Sequence, residues 1–261
     1  MISILYFYRF CKHYFFAKNL HGTHSPFVFA LLTNVIYKKT KFKFSEAIEF
    51  QRNKLLNNAS IITINDLGAG SNVLITKKRS INAMAKSSLK SKKLAELLAR
   101  LADHFQPQQI IELGTSFGIT TAYLAQAAQK AKITTIEGCP EIAEIASSLF
   151  ANLALNNIQL IVGNIDSVLK DVAKNSKALD FVYFDGNHTE EATLRYFYVC
   201  IPFSTASSVF VFDDIYWSTG MYNAWQKIKS NPNVTVTIDL FHIGLVFFKK
   251  DQAKEHFLIR V

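Results

Sequence analysis

Four acidic residues close apolar runs in this 261-residue chain. Glu137 follows Ile133-Thr-Thr-Ile, Asp185 follows Phe181-Val-Tyr-Phe, and the pair Asp213-Asp214 follows Val209-Phe-Val-Phe. Carboxylates so placed accept hydrogen bonds from hydroxyls, hold cations or take up protons. His188, three residues after Asp185, adds an imidazole that can take a proton near neutral pH. Upstream lies Ile110-Ile-Glu-Leu-Gly-Thr-Ser-Phe-Gly, which reads as a buried strand, a glycine turn and the start of a helix. A dinucleotide fingerprint, Gly-x-Gly-x-x-Gly, would hold a pyrophosphate on the helix N-terminus, but here Ser116 replaces the middle glycine. Glu-x-Gly-x-x-x-Gly suits a ligand with a cationic group and no phosphate.

These residues need a scaffold that brings strand ends together. From Ser91 the chain predicts a helix to Phe105, with Leu94, Leu97, Leu98 and Leu101 on one face, and then strands alternating with helices. The strands are expected at 109–113, 133–137, 158–162, 181–184, 209–212, 235–240 and 245–249. No helix is expected between the last two. That pattern is a doubly wound α/β sheet, in which ligands sit beyond the carboxyl ends of the strands.

The glycine loop resembles motif I of class I S-adenosylmethionine-dependent methyltransferases. The resemblance predicts a second acid about twenty residues on, which Glu137 supplies. It implies a seven-stranded, Rossmann-like sheet ending in an antiparallel hairpin. It also implies cofactor contacts by Glu112, Gly114, Thr115, Ser116, Gly118 and Thr120, by Glu137 and Gly138 at the ribose, by Asn164 near the adenine, and by Asp185. Asn164 serves equally well as a helix N-cap.

Asp185, Asp213 and Asp214 further resemble the magnesium site of metal-dependent O-methyltransferases of the catechol and macrolide or aminocoumarin sugar types. A dication there would lower the pKa of a substrate hydroxyl and orient it. Alternatively, Asp185 positions the cofactor while Asp213 and Asp214 cap the next helix. The chain lacks the lysine that follows the strand-four acid in the catechol-type enzymes, and it has Asn187 where the sugar enzymes commonly place a second acid. His188 is therefore the candidate general base. Trp217, Met221, Tyr222 and Trp225 form either an aromatic wall over the acceptor or a packed helix face.

The expected acceptor is a small-molecule hydroxyl. RNA ribose is the alternative, because the Asn/Asp-Pro-Pro-aromatic turn of exocyclic base-amine enzymes is missing; a non-catalytic cofactor-binding module is the third reading. Residues 1–100 hold 17 Lys and Arg against 4 acids, a net +13, while the remainder holds 12 against 16, a net −4. Such a basic region can meet nucleic acid, an anionic membrane surface or an acidic substrate. The division expected is a basic, mainly helical extension over residues 1–90 and a methyltransferase domain over 91–261.

In the extension, Ser25-Pro26 should open a helix reaching Tyr37, another is expected over 45–56, and a short strand over 61–66. The Asp66-Leu-Gly-Ala-Gly-Ser71 segment looks like a second glycine loop but lacks its following helix and acid. Residues 2–16 interleave aromatics with Arg9, Lys12 and His13, which suits an interfacial helix or one packed on its own domain, and not a membrane span. Three cysteines without CxxC spacing exclude a disulfide framework or zinc cluster and fit a reducing cytoplasm.

Overall fold

The computed structural model of the chain describes residues 4–65 and 76–261. The Asp66–Ser71 glycine loop lies outside them. The helices are α1 (Ile4–Phe16), α2 (Pro26–Leu31), α3 (Ser45–Asn57), α4 (Ile81–Ser88), α5 (Lys92–Phe105), α6 (Ile119–Ala127), α7 (Pro140–Asn152), α8 (Ile165–Asn175), α9 (Glu190–Cys200) and α10 (Thr219–Ser230). The strands are β1 (Ile61–Asn65), β2 (Thr76–Ser80), β3 (Gln109–Leu113), β4 (Lys132–Glu137), β5 (Ile158–Val162), β6 (Leu179–Phe184), β7 (Ser204–Asp213), β8 (Val236–Asp239), β9 (Ile243–Phe247) and β10 (Glu255–Leu258). Strands β3 to β10 belong to one mostly parallel sheet, giving a Rossmann-like α/β fold, and β1 pairs with β2 in a separate antiparallel hairpin.

The chain divides into two compact units, one of residues 39–168 and one of 1–38 with 169–261. In the first, β3, β4 and β5 run parallel in that order. Ser91 caps α5 by accepting from the Leu94 amide, and the helix ends at Gln106 in the left-handed region. Ile48, Met84, Ala99, Phe117, Tyr123 and Phe150 build one continuous core. At its edge the Tyr123 hydroxyl meets Ser45 at 2.8 Å and donates to Glu49 at 2.9 Å. Burial first, then the neighbouring carboxylates, raise its pKa well above that of free tyrosine.

In the second unit the order is β10-β8-β9-β7-β6. β7 and β8 are antiparallel to β9, while β6 runs parallel to β7 and β10 to β8. The hairpin of β8 and β9 is the expected antiparallel ending, and β10 is an eighth strand that the sequence pattern does not signal. Trp225 of α10 packs against Gly244 of β9, where a Cβ would fall 2.5 Å from the indole. Ser25 and Pro26 open α2 as expected, but the helix continues over 32–36 with wider, π-type turns. All three cysteines are free, with Cys139 and Cys200 buried. Among the described residues no helix is long and apolar enough to cross a membrane.

Candidate active site

In the 39–168 unit, Leu113 of β3 stands opposite Ile136 of β4, so the loops after these strands leave side by side. The amides of Gly114 and Thr115 both donate to the Ile136 carbonyl, at 3.0 and 3.1 Å. The turn is tight enough to need φ values of 95° at Gly114, 50° at Ser116 and 81° at Gly118. At Gly118 a side chain is excluded twice over, because a Cβ would also come 2.6 Å from a ring carbon of Phe150.

Glu137 ends β4 facing this turn. Its Oε2 accepts from the Ser116 amide at 2.8 Å and its Oε1 from the Cys139 amide at 3.0 Å. The carboxylate is thereby fixed at the lip of the loop, and Glu137, Gly138, Gly114 and Ser116 are all half-buried at the strand ends. Each carboxylate oxygen has two lone-pair sites, so an oxygen that serves an amide retains capacity for a ligand hydroxyl.

Glu112 is placed differently from its neighbours in the motif. It is fully buried, and its Oε2 accepts from Thr121 at 2.5 Å and Thr135 at 2.7 Å. Thr135 also meets Thr115 at 2.6 Å. This network ties β3, β4 and α6 together beneath the loop, so Glu112 is placed to shape the turn from below. Nothing in the sequence pattern marks Thr121 and Thr135 as its partners. Thr120 is buried in the first turn of α6. Asn164 accepts from the Asp166 amide at 2.8 Å through its side chain, and its carbonyl accepts from Ser167 and Val168, so it caps the start of α8.

The unit containing 169–261 holds the acids. Phe184 of β6 stands opposite Phe212 of β7, and their rings stack at 4.2 Å with planes 10° apart. Because these strands are parallel and in step, Asp185 and Asp213 leave them together. Asn187, at φ 52°, turns the chain back, and Thr189 caps α9 by accepting from Ala192 at 3.3 Å. The turn brings His188 Nε2 to 3.5 Å from Asp185 Oδ1. Asp185, His188 and Asp213 each present a ligand atom within 4.8 Å of the others.

Asp214 is not in that group. It follows β7 with φ 52°, its carbonyl accepts from the Trp217 amide, and its charge acts with the stronger effect of burial to raise the pKa of Tyr6 on α1. The structure thus gathers an acid, an imidazole and an acid where the resemblance implies three acids. Met221 and Trp225 are buried, whereas Trp217 is exposed. The four-residue spacing of Met221 and Trp225 therefore marks a packed helix face.

With this geometry in view, residues 111–215 match the family model described as a methyltransferase domain. That match covers 105 of the 261 residues. The match opens inside β3 and closes just past β7, so it takes in the glycine turn, Glu137 and the acidic cluster. Outside the domain's limits, solved structures extend the likeness of fold. The O-methyltransferase TomG from Streptomyces achromogenes, solved with S-adenosylmethionine and involved in tomaymycin synthesis, is 21% identical with a TM-score of 0.55, over 62% of this chain and 82% of its own.

An O-methyltransferase from Bacillus cereus in complex with S-adenosylhomocysteine is 17% identical with a TM-score of 0.55, over 84% and 96%. The methyltransferase PaMTH1 of Podospora anserina, also bound to S-adenosylhomocysteine, is 12% identical with a TM-score of 0.55, over 82% and 99%. With these structures the chain shares its fold. No curated protein matches its sequence.

Proposed function

We propose that the chain transfers a methyl group from S-adenosylmethionine to a hydroxyl of a small molecule. The observation that carries this reading is Glu137: an acceptor-only carboxylate fixed at 2.8 Å to the amide of a glycine turn suits a ligand with a vicinal diol beside an amino-acid end. In this reading Gly114, Thr115, Ser116, Gly118 and Thr120 form the turn that receives the amino-acid end, Glu137 and Gly138 hold the ribose, and Asn164 borders the adenine. Glu112 sets the turn's shape from beneath. The fold shared with O-methyltransferases solved with this cofactor or its product supports the assignment.

Asp185, His188 and Asp213 activate the acceptor. Two carboxylates and an imidazole within 4.8 Å fit a divalent cation, with Asp185, Asp213 and His188 as its ligands; the imidazole widens the choice from magnesium toward manganese and later metals. When bound, the cation would lower the pKa of the acceptor hydroxyl. With no cation bound, His188 is instead placed to take the hydroxyl proton, its Nε2 lying 3.5 Å from the Asp185 carboxylate. Asp213, buried at the end of β7, completes the cluster.

The test has two arms. Calorimetry should give tight S-adenosylmethionine binding that weakens about 10- to 100-fold in Glu137→Ala, as expected for lost hydrogen bonds to a charged group; unchanged affinity would remove the cofactor assignment. With an acceptor panel, turnover lost in EDTA and in Asp213→Asn supports the cation. Turnover that survives both and falls in His188→Gln, with its acid limb abolished, assigns proton removal to the imidazole alone.

A further inference from the structure

We propose that α1 docks the protein onto an anionic lipid surface. A helix at the edge of a domain ordinarily turns its apolar face inward, but α1 reverses that arrangement, since His13 is its only buried residue. Its largest side chains point into solvent: Ile4 is 90%, Phe15 80% and Phe16 71% exposed, with Phe7 and Tyr8 well over half exposed. At about 100° per residue, Ile4, Tyr8 and Phe15 fall on one stripe, opposite Tyr6 and His13 on the inner side.

The helix is held firmly by that inner side, so its outward face is a fixed feature of the unit. His13 lies 3.1 Å from the buried Asp239, and Tyr6 and Phe10 pack edge-on against Phe241. Arg9 donates to the Ser218 carbonyl at 3.2 Å and covers the Tyr222 ring at 4.5 Å. Charge selects the partner. The first acid in the sequence is Glu46, so no acid belongs to α1 or to the 29 residues that follow it. Along the flank of the helix, Arg9, Lys12 and His13 together with Lys229 of α10 line a cavity of about 380 Å³ that also takes in Tyr8 and Phe16.

An aromatic stripe edged by cations, on a helix that carries no acid of its own, matches the acyl and phosphate levels of an anionic bilayer. Covering the stripe with a second copy through two-fold symmetry would set those cations against their own equivalents. At 13 residues α1 is about 20 Å long, against the roughly 30 Å of a hydrocarbon core, so it lies in the interface. The proposal does not depend on the methyl-transfer reading.

The test is flotation of the full chain with vesicles of phosphatidylcholine alone or mixed with phosphatidylglycerol. Expected is flotation with the anionic vesicles at low salt, release at high salt, and at least tenfold weaker binding in Phe7→Ser/Phe15→Ser and in Lys12→Glu, both melting like the parent protein. The two substitutions act separately on the apolar and the charged contribution, and all of these side chains are exposed. Equal binding to both vesicle types, no binding to either, or binding unchanged in both variants would overturn the proposal. So would a concentration-dependent dimer in ultracentrifugation that Phe7→Ser/Phe15→Ser dissolves, because the face would then belong to a second copy.

Discussion

Gly118 is the residue at which the turn and the core compete most directly for space. A methyl group there meets the Phe150 ring at 2.6 Å while the backbone sits at φ 81°, so Gly118→Ala combines overpacking with left-handed strain. Each of these costs about 1–3 kcal/mol, and urea denaturation should show a loss of at least ~2 kcal/mol. Ser116, at φ 50° in the same turn, already carries such strain, which its amide bond to Glu137 helps to hold.

The residue types at the strand ends were legible from spacing alone; their partners were not. Glu112 and Glu137 look alike in the sequence, each an acid at or near the end of an apolar run. Only the position of Thr121 and Thr135 shows that the first is turned into the protein and the second toward the loop. Likewise, Asp213 and Asp214 are adjacent in sequence, yet the last residue of a strand and the left-handed residue after it project differently. His188 lies with Asp185 and Asp213 because Asn187 folds the turn back on Asp185.

Among the elements, β8 ends in a carboxylate with several buried polar partners. Asp239 at its end accepts from Tyr216 and Trp225 at 2.9 Å each and from the Phe241 amide at 3.0 Å, with His13 3.1 Å away. Removing that carboxylate strands a phenol, an indole and an imidazole in the core. Asp239→Ala should therefore cost about 3–5 kcal/mol by denaturant titration, and loosen α1 as well as α10. On the next strand, His256 of β10 shares a 2.8 Å bond with Thr237 of β8. Partial desolvation first, then Lys229 and Lys254, lower its pKa below the ordinary 6.5.

A histidine that is harder to protonate in the folded state contributes stability above its unfolded pKa and loses it as the pH falls through its folded value. Melting temperatures taken from about pH 7 to pH 5 should therefore fall less steeply in His256→Asn than in the parent. β10 itself shows the limit of local pattern. Glu255-His256-Phe257-Leu258 has no buried residue and no turn signal of its own, and it becomes a strand by pairing with residues about twenty positions earlier. β3 and β5, by contrast, occupy the spans their apolar runs predict, since an apolar run bounded by turn residues declares its own ends.

At the scale of the whole molecule, residues 1–38 belong to the unit formed with 169–261, and 39–168 form a unit of their own. Lys18 bridges to Ile259, and the Tyr37 hydroxyl donates to the Arg260 carbonyl at 2.7 Å, so the contacts of the N-terminal segment span almost the whole sequence. Such distant pairing forms late, after local contacts have reduced the loop-closure cost. In pulse-labelled refolding, amide protection in β3, β4 and β5 should therefore precede protection in α1; simultaneous protection would show one cooperative unit instead. During synthesis the order is stricter still. All 130 residues of 39–168 must leave the ribosome before α1 meets its partners in 169–261, which at about 5–20 residues per second leaves it exposed for about 7 to 26 seconds. For that interval a helix bearing nine aromatic or aliphatic side chains and no acid is presented naked to the nascent-chain environment, which makes it a target for chaperones before it has any role in the finished protein.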